Sequence, residues 1–226
     1  MSSNGANTQF TNNEVYSNGS EQKFLASPII PGDNHNLYIA GNYFHDCTAD
    51  GFWIDGDGAG TVVENNIFER NGRTGMTLEN CVSVTVQNNT ARLNTFGDGI
   101  LLTVSRNCRV LNNTVSGNLY GIELFLNFDA LTPQFPWAQD LANNTIQGNT
   151  ITVPSGLANQ YASLLTFAGS GDQTPYLNPA IKGNVFSQNR YFAPTTNGIW
   201  FLWGGNKTFL GWQGVPQDAT GTIAVG

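Results

Sequence analysis

Asp55, Asp57 and Glu79 are the residues whose types and spacing point most directly to chemistry. Asp55 and Glu79 hold matching places in two similar phrases, GFWIDG (51–56) and GMTLEN (75–80), 24 residues apart. Stacked as neighbouring strands, these phrases bring the two carboxylates into one outward column, with backbones about 4.8 Å apart. Carboxylates that close repel, and the like charge raises the pKa of one of them. A protonated carboxylic acid beside an ionised one supplies the general acid, and the base or nucleophile, for cleaving a glycosidic bond. Separations of about 5 Å suit retention and about 6.5–9.5 Å suit inversion; side-chain rotamers leave that choice open. A second chemistry uses Asp55, Asp57 and Glu79 to hold Ca2+, which takes about six to eight oxygen ligands. Arg73, in the turn before Gly75, is then the nearest base, with Lys23 a more distant one. A third reading leaves the acids as solvated or salt-bridged surface groups. Glu123 lies in the neighbouring column, two coils beyond Glu79, and Trp53 sits beside Asp55.

The elements that must position these groups come from an internal repeat. The phrases VVENNIFERNGRTGMTL, VTVQNNTARLNTFGDGILLTV and RVLNNTVSGNLYGIEL share an apolar alternation, an Asn pair, a further Asn and a Gly followed by apolar residues. The second Asn of the pair marks the repeat at Asn13, Asn42, Asn66, Asn89, Asn113, Asn144 and Asn184, and the central intervals are 24, 23 and 24 residues. Five residues after each marker stands another Asn (18, 71, 94, 118, 149, 189), with Cys47 the exception. A period near 24 also fits a leucine-rich repeat, but its leucines and helical stretch are missing. Short period-two segments broken by Asn and Gly imply three strands and three turns per unit. Units stacked strand on strand form parallel sheets, and Asn side chains at one phase satisfy each other's amides along the column.

Composition narrows the function. Charged residues make up 11% of the 226 residues and the net charge is −7. That excludes the clustered Lys and Arg of a nucleic-acid surface. There is no apolar run of about 18 residues to cross a membrane, and MSSNGANTQF lacks the apolar core of a signal peptide. The three cysteines, Cys47, Cys81 and Cys108, are odd in number and lack metal spacing. Cys108 stands at the phase of Val84 and reads as an inward core residue.

With this repeat the chain resembles the right-handed parallel β-helix proteins, the fold of pectate lyases, polygalacturonases and phage tailspikes. The expected architecture is all-β: a single-stranded right-handed parallel β-helix of about seven coils with an Asn ladder. It fills one domain over 1–226, with 204–226 as a C-terminal cap. A solenoid must cover its open ends, and nothing before Asn12 reads as an apolar cap. The expectation is therefore the C-terminal part of a longer secreted or cell-surface protein. The run Gly51, Trp53, Asp55, Asp57, then Gly75 and Glu79 is similar to a segment of extracellular bacterial β-helix proteins of generic description. That resemblance implies a polysaccharide partner; the composition adds the expectation of no nucleic acid and no membrane insertion, and a monomer is expected. No cofactor is implied with certainty beyond the possible Ca2+. The Asn-Thr-Asp, Gly-His-Gly and Arg-Ile-Lys motifs of polygalacturonases are absent, as are the Asp-Pro-His-Asp motif of mannuronan epimerases and the Arg-x-Pro-x-x-Arg setting of pectate lyases.

By analogy with that fold, the Gly-led segments form the sheet beside the substrate groove. Alternation turns Phe52/Ile54, Met76/Leu78, Ile100/Leu102 and Ile122/Leu124 inward. One outward column then reads Trp53, Thr77, Leu101, Glu123 and Trp200, and the next Asp55, Glu79, Thr103 and Phe125. Trp53, Trp200 and Phe125 are candidates to touch a sugar ring. Trp137, with Phe128 and Phe135, would wall the groove from the loop 127–142. EQKFLASPIIPGDNHN reads as a long excursion from one coil. His45, Glu69 and Arg92 share one phase elsewhere, as an acid between two potential cations in a surface ladder.

Overall fold

The computed structural model describes residues 6–18, 29–57, 59–94, 96–127, 140–153, 163–169, 172–215 and 217–226, with backbone alone at 29–34 and 57. Lys23, Phe128, Phe135 and Trp137 lie outside the described residues. The strands assemble into three stacks of seven, eight and eight. Each strand pairs in parallel with its counterpart one coil on; thus Val62–Glu64 pairs Thr85–Gln87, Ile67–Glu69 pairs Thr90–Arg92, and Phe52–Asp57 pairs Met76–Glu79. The chain visits the first, second and third sheet in turn and then repeats, so the molecule is a parallel β-helix. The one antiparallel pairing among the described strands joins Phe201–Leu202 to Asn206–Lys207.

Alternation sets the core. Phe52, Met76, Ile100 and Ile122 stack in one inward column, Ile54, Leu78, Leu102 and Leu124 in another, and all are buried. Cys108 is buried opposite Val84, and all three cysteines are free. The strand Ile29–Asn34, inside the stretch expected as an excursion, instead joins the third sheet, pairing Ile30 with Ile54. Toward the C-terminus the core turns aromatic, with Trp203, Trp212, Phe186 and Phe201 packed together.

The Asn pair divides two tasks. The first member takes the left-handed turn conformation, as at Asn65, Asn88 and Asn112 (φ 57°, 55° and 55°), which Asn tolerates better than most residues. The Asn that follows this turn residue, whether Asn, Gly or Gln, builds a ladder, buried from Asn42 onward, in which each side chain accepts from the backbone N–H and the amide of the Asn one coil earlier. It runs Asn13, Asn42, Asn66, Asn89, Asn113, Asn149, Asn189. The expected markers Asn144 and Asn184 do not belong to it. They stack on Cys108 in a separate column, five residues earlier in the coil. The pair Asn143-Asn144 resembles the marker in sequence, but the register Thr145↔Arg109 fixes Asn149 over Asn113. A shorter ladder runs Asn71, Asn94, Asn118. The long ladder closes on buried Asp218, which accepts from the Asn189 amide at 2.9 Å and the Tyr191 hydroxyl at 2.5 Å.

Residues 204–226 contain a short helix, Phe209–Gln213, capped by the Thr208 hydroxyl. They end in a strand, Thr222–Val225, which extends the second sheet beside Arg190–Ala193. On that same sheet His45, Glu69 and Arg92 do align. The cations that hold Glu69, however, are Arg92 and Arg70, at 2.9 and 2.8 Å. His45 instead meets Glu14 and Asp46, at 3.1 and 2.6 Å.

Candidate active site

On four coils the strands of the third sheet begin at a corner glycine, Gly51, Gly75, Gly99 and Gly121, whereas Leu164 takes that place on the next. A Cβ at Gly99 would stand 2.3 Å from Val115 Cγ1 and 2.8 Å from Gly121 O. Beyond that corner each strand alternates, and its outward side chains form three columns. The register aligns Trp53, Thr77, Leu101, Glu123, Thr166 and Leu202 in one column, and Asp55, Glu79, Thr103, Phe125 and Ala168 in the next. The third column stands at the corner itself and includes Asp98, Tyr120 and Ser163.

Asp55 and Glu79 are direct cross-strand partners. The Asn80 amide donates to Asp55 Oδ1 at 3.0 Å. Burial pushes the Asp55 carboxyl above the usual carboxylate range, and the Asn80 bond pulls it part of the way back. Glu79 is pushed up to about 7, first by burial and then by the charges of Asp55 and Asp50, while Arg73 and Trp53 pull it down. The Trp53 indole lies near enough to act on Glu79 but closes no regular hydrogen bond; its N–H has no partner among the described residues.

Two acids not singled out from the sequence join this face. Asp50 is buried; it accepts from the Thr74 backbone N–H at 3.2 Å and the Thr77 hydroxyl at 3.0 Å, and Arg73 Nε lies 3.7 Å from it. Asp98 is buried beside Glu123. Burial and the Glu123 carboxylate push it well above its ordinary range, and the Thr74 hydroxyl donates to Asp98 Oδ2 at 3.4 Å. Both residues immediately precede a corner glycine, Gly51 and Gly99. The recurring Asp-Gly dipeptide was the signal for them, hidden because strands read as starting on Gly leave the preceding residue in a turn.

The other expected site residues divide. Glu123 and Phe125 occupy the columns expected, Glu123 at 8% exposure. Arg73 reaches the site through Asp50. Asp57 ends its strand opposite Asn34, and its side chain is outside the described ones. Trp200 does not share the Trp53 column. The register pairs Leu202 with Thr166 and so displaces Trp200 by two residues. It is 8% exposed in the core cluster, its indole donating to Thr195 O at 2.7 Å. The shift follows from the turn Asn197–Gly198, which stands where the repeat led one to expect the strand to start.

Among the described residues no group of three or more His, Cys, Asp or Glu is placed to hold a metal ion. The expected Ca2+ set of Asp55, Asp57 and Glu79 cannot be assembled from the described side chains, because that of Asp57 lies outside them. Acid catalysis suits the pair better. Among the described residues no helix is long and apolar enough to cross a membrane.

A family model described as a right handed beta helix region matches residues 1–134. No curated protein and no solved structure matches the chain.

Proposed function

The chain belongs to the right-handed β-helix family, and on that premise we propose that its third sheet cleaves an extracellular polysaccharide by glycoside hydrolysis. The observation that carries the reading is the cross-strand pair Asp55–Glu79, in which Glu79 holds its proton up to about pH 7. A carboxylic acid in that range donates to a glycosidic oxygen at neutral pH, as a general acid must. In this mechanism the proton moves from Glu79 to the leaving oxygen as the bond to the anomeric carbon breaks. Asp55, as carboxylate, activates the attacking water or attacks that carbon itself, and water supplies the new C–O bond. The Asn80 amide holds Asp55 in place and favours its charged form. Arg73 is engaged with Asp50, which disfavours its use as the base of a lyase. Location outside the cell belongs to the same proposal, since a polymeric substrate is met there.

The test is a polysaccharide panel read both as reducing ends and as absorbance of unsaturated uronates. Hydrolysis predicts reducing ends without that absorbance, lost in Glu79→Gln and Asp55→Asn while binding persists. Absorbance would make the protein a lyase. Binding without either signal would make it a non-catalytic carbohydrate module.

A further inference from the structure

Two buried polar groups on the outer face close no regular hydrogen bond among the described residues. Trp53, 9% exposed, leaves its indole N–H without a partner, and Thr103, 5% exposed, leaves its hydroxyl so, among the described residues. Their places bracket the acid pair. Trp53 lies two residues before Asp55 on the same strand, and Thr103 is the direct partner of Glu79 on the following strand. A buried, unpaired donor is destabilising in the free protein. Thr103 belongs to the outward column that carries Asp55 and Glu79, and Trp53 to the outward column beside it.

The charge on this face restricts the sugar. Asp50, Asp55, Glu79, Asp98 and Glu123 all border it, and burial pushes every one of them up. The five strands of the third sheet from Phe52–Asp57 to Ser163–Gly169 carry no Lys or Arg. Arg73, at the corner, is engaged with Asp50. A uronate brought here would meet carboxylates and, on these described strands, no Lys or Arg to pair with. An uncharged sugar meets acceptors that suit its hydroxyl donors.

We infer that the site takes an uncharged glycan chain, with the Trp53 indole N–H and the Thr103 hydroxyl bonding sugar hydroxyls on either side of the Asp55–Glu79 pair. This rests on the proposed function for the location of the site and goes beyond it in substrate class and in the role of Thr103, which is a binding residue.

The experiment compares neutral probes (β-glucan, arabinoxylan, galactomannan) with acidic ones (polygalacturonate, alginate), scoring binding by affinity electrophoresis and cleavage by reducing ends. Wild type, Glu79→Gln and Thr103→Val are run together, with melting temperatures. A neutral polymer should bind, with little change on raising salt, and Thr103→Val should weaken it by about three- to tenfold, the worth of one neutral hydrogen bond. The same variant should melt at or above the wild-type temperature, because an unpaired hydroxyl is removed. A merely structural threonine would lower the melting temperature and spare binding. Preference for an acidic polymer, or wild-type affinity in Thr103→Val, overturns the inference. If an acidic polymer is cleaved and Glu79→Gln stops it, hydrolysis stands and the substrate class falls. If a neutral polymer binds through Thr103 but is never cleaved, the substrate class stands and hydrolysis falls. No binding to any probe overturns both.

Discussion

The residue that follows Glu79 hydrogen-bonds the carboxylate opposite it: Asn80 Nδ2 donates to Asp55 Oδ1 at 3.0 Å across the strand pair. Asn80 turns toward Asp55 because it sits in the left-handed conformation, at φ 52°. The bond differentiates two acids that would otherwise share one environment. Asp55 has a donor that favours its charge, whereas Glu79 has the repulsion of Asp55 and Asp50 added to burial. Separation of this kind assigns an acid and a base to one pair of carboxylates.

Stability should depend on pH through Glu79. Its folded value stands near 7 against an ordinary 4.5, so between these the folded state binds the extra proton. The folding benefit is fully present below about 4.5 and is lost as pH rises through about 7, a change on the order of 3 kcal/mol. Urea titrations across this range should show stability falling with pH in wild type. In Glu79→Gln the slope should be reduced, the remainder coming from the other acids that burial pushes up, and stability at pH 8 should be higher. A slope unchanged by the substitution would remove Glu79 as its source. Asp46 works in the opposite sense: Arg70 and His45 hold it at about 2, so its contribution is lost only in strong acid.

Asp50→Asn should alter catalysis without touching the Asp55–Glu79 pair. Asp50 raises Glu79 by like charge, so its neutralisation lowers the Glu79 pKa. The alkaline limb of the pH–rate profile should then move to lower pH by a fraction of a unit. The measurement is kcat against pH on whichever polymer the panel identifies, and a limb that stays in place refutes the coupling.

The Asn ladder should be expensive to interrupt. The Asn89 side chain accepts from Asn66 and donates to Val63 O, Gln87 O and Asn113 Oδ1, with distances of 2.9–3.0 Å. Asn89→Leu strands these buried partners, and the expected loss is about 3 kcal/mol or more by equilibrium denaturation. A loss under about 1 kcal/mol would mean that the ladder contributes little.

Gly99→Ala tests the glycine corner at the start of the strand Asp98–Thr103. The added methyl would meet Val115 and Gly121 O well inside contact distance, so the strand must shift. About 1–3 kcal/mol of stability should be lost, together with most of the activity, since Thr103 lies on the displaced strand. Full activity would show that the corner has room to relax.

Much of the molecule is legible in the amino-acid sequence because its determinants are local and repeated. Intervals of 24, 23 and 24 residues between Asn42, Asn66, Asn89 and Asn113 force equivalent residues into register. Period-two alternation then turns Met76 and Leu78 inward and leaves Thr77 and Glu79 outside. From those two rules follow the parallel β-helix and the adjacency of Asp55 with Glu79. Only the tertiary structure decided what lies beyond regular counting. After Asn113 the ladder steps by 36 and then 40 residues, and spacing does not say where in the coil the extra residues fall. Hence Asn149 takes the place that Asn144 mimics, and Leu202 the place expected for Trp200. The entry of Asp50 and Asp98 into the site was likewise decided in three dimensions, since corner geometry sets which way the residue before a glycine points. So too was the proton held by Glu79, because burial and the summed charge of separate coils exist only in the folded chain.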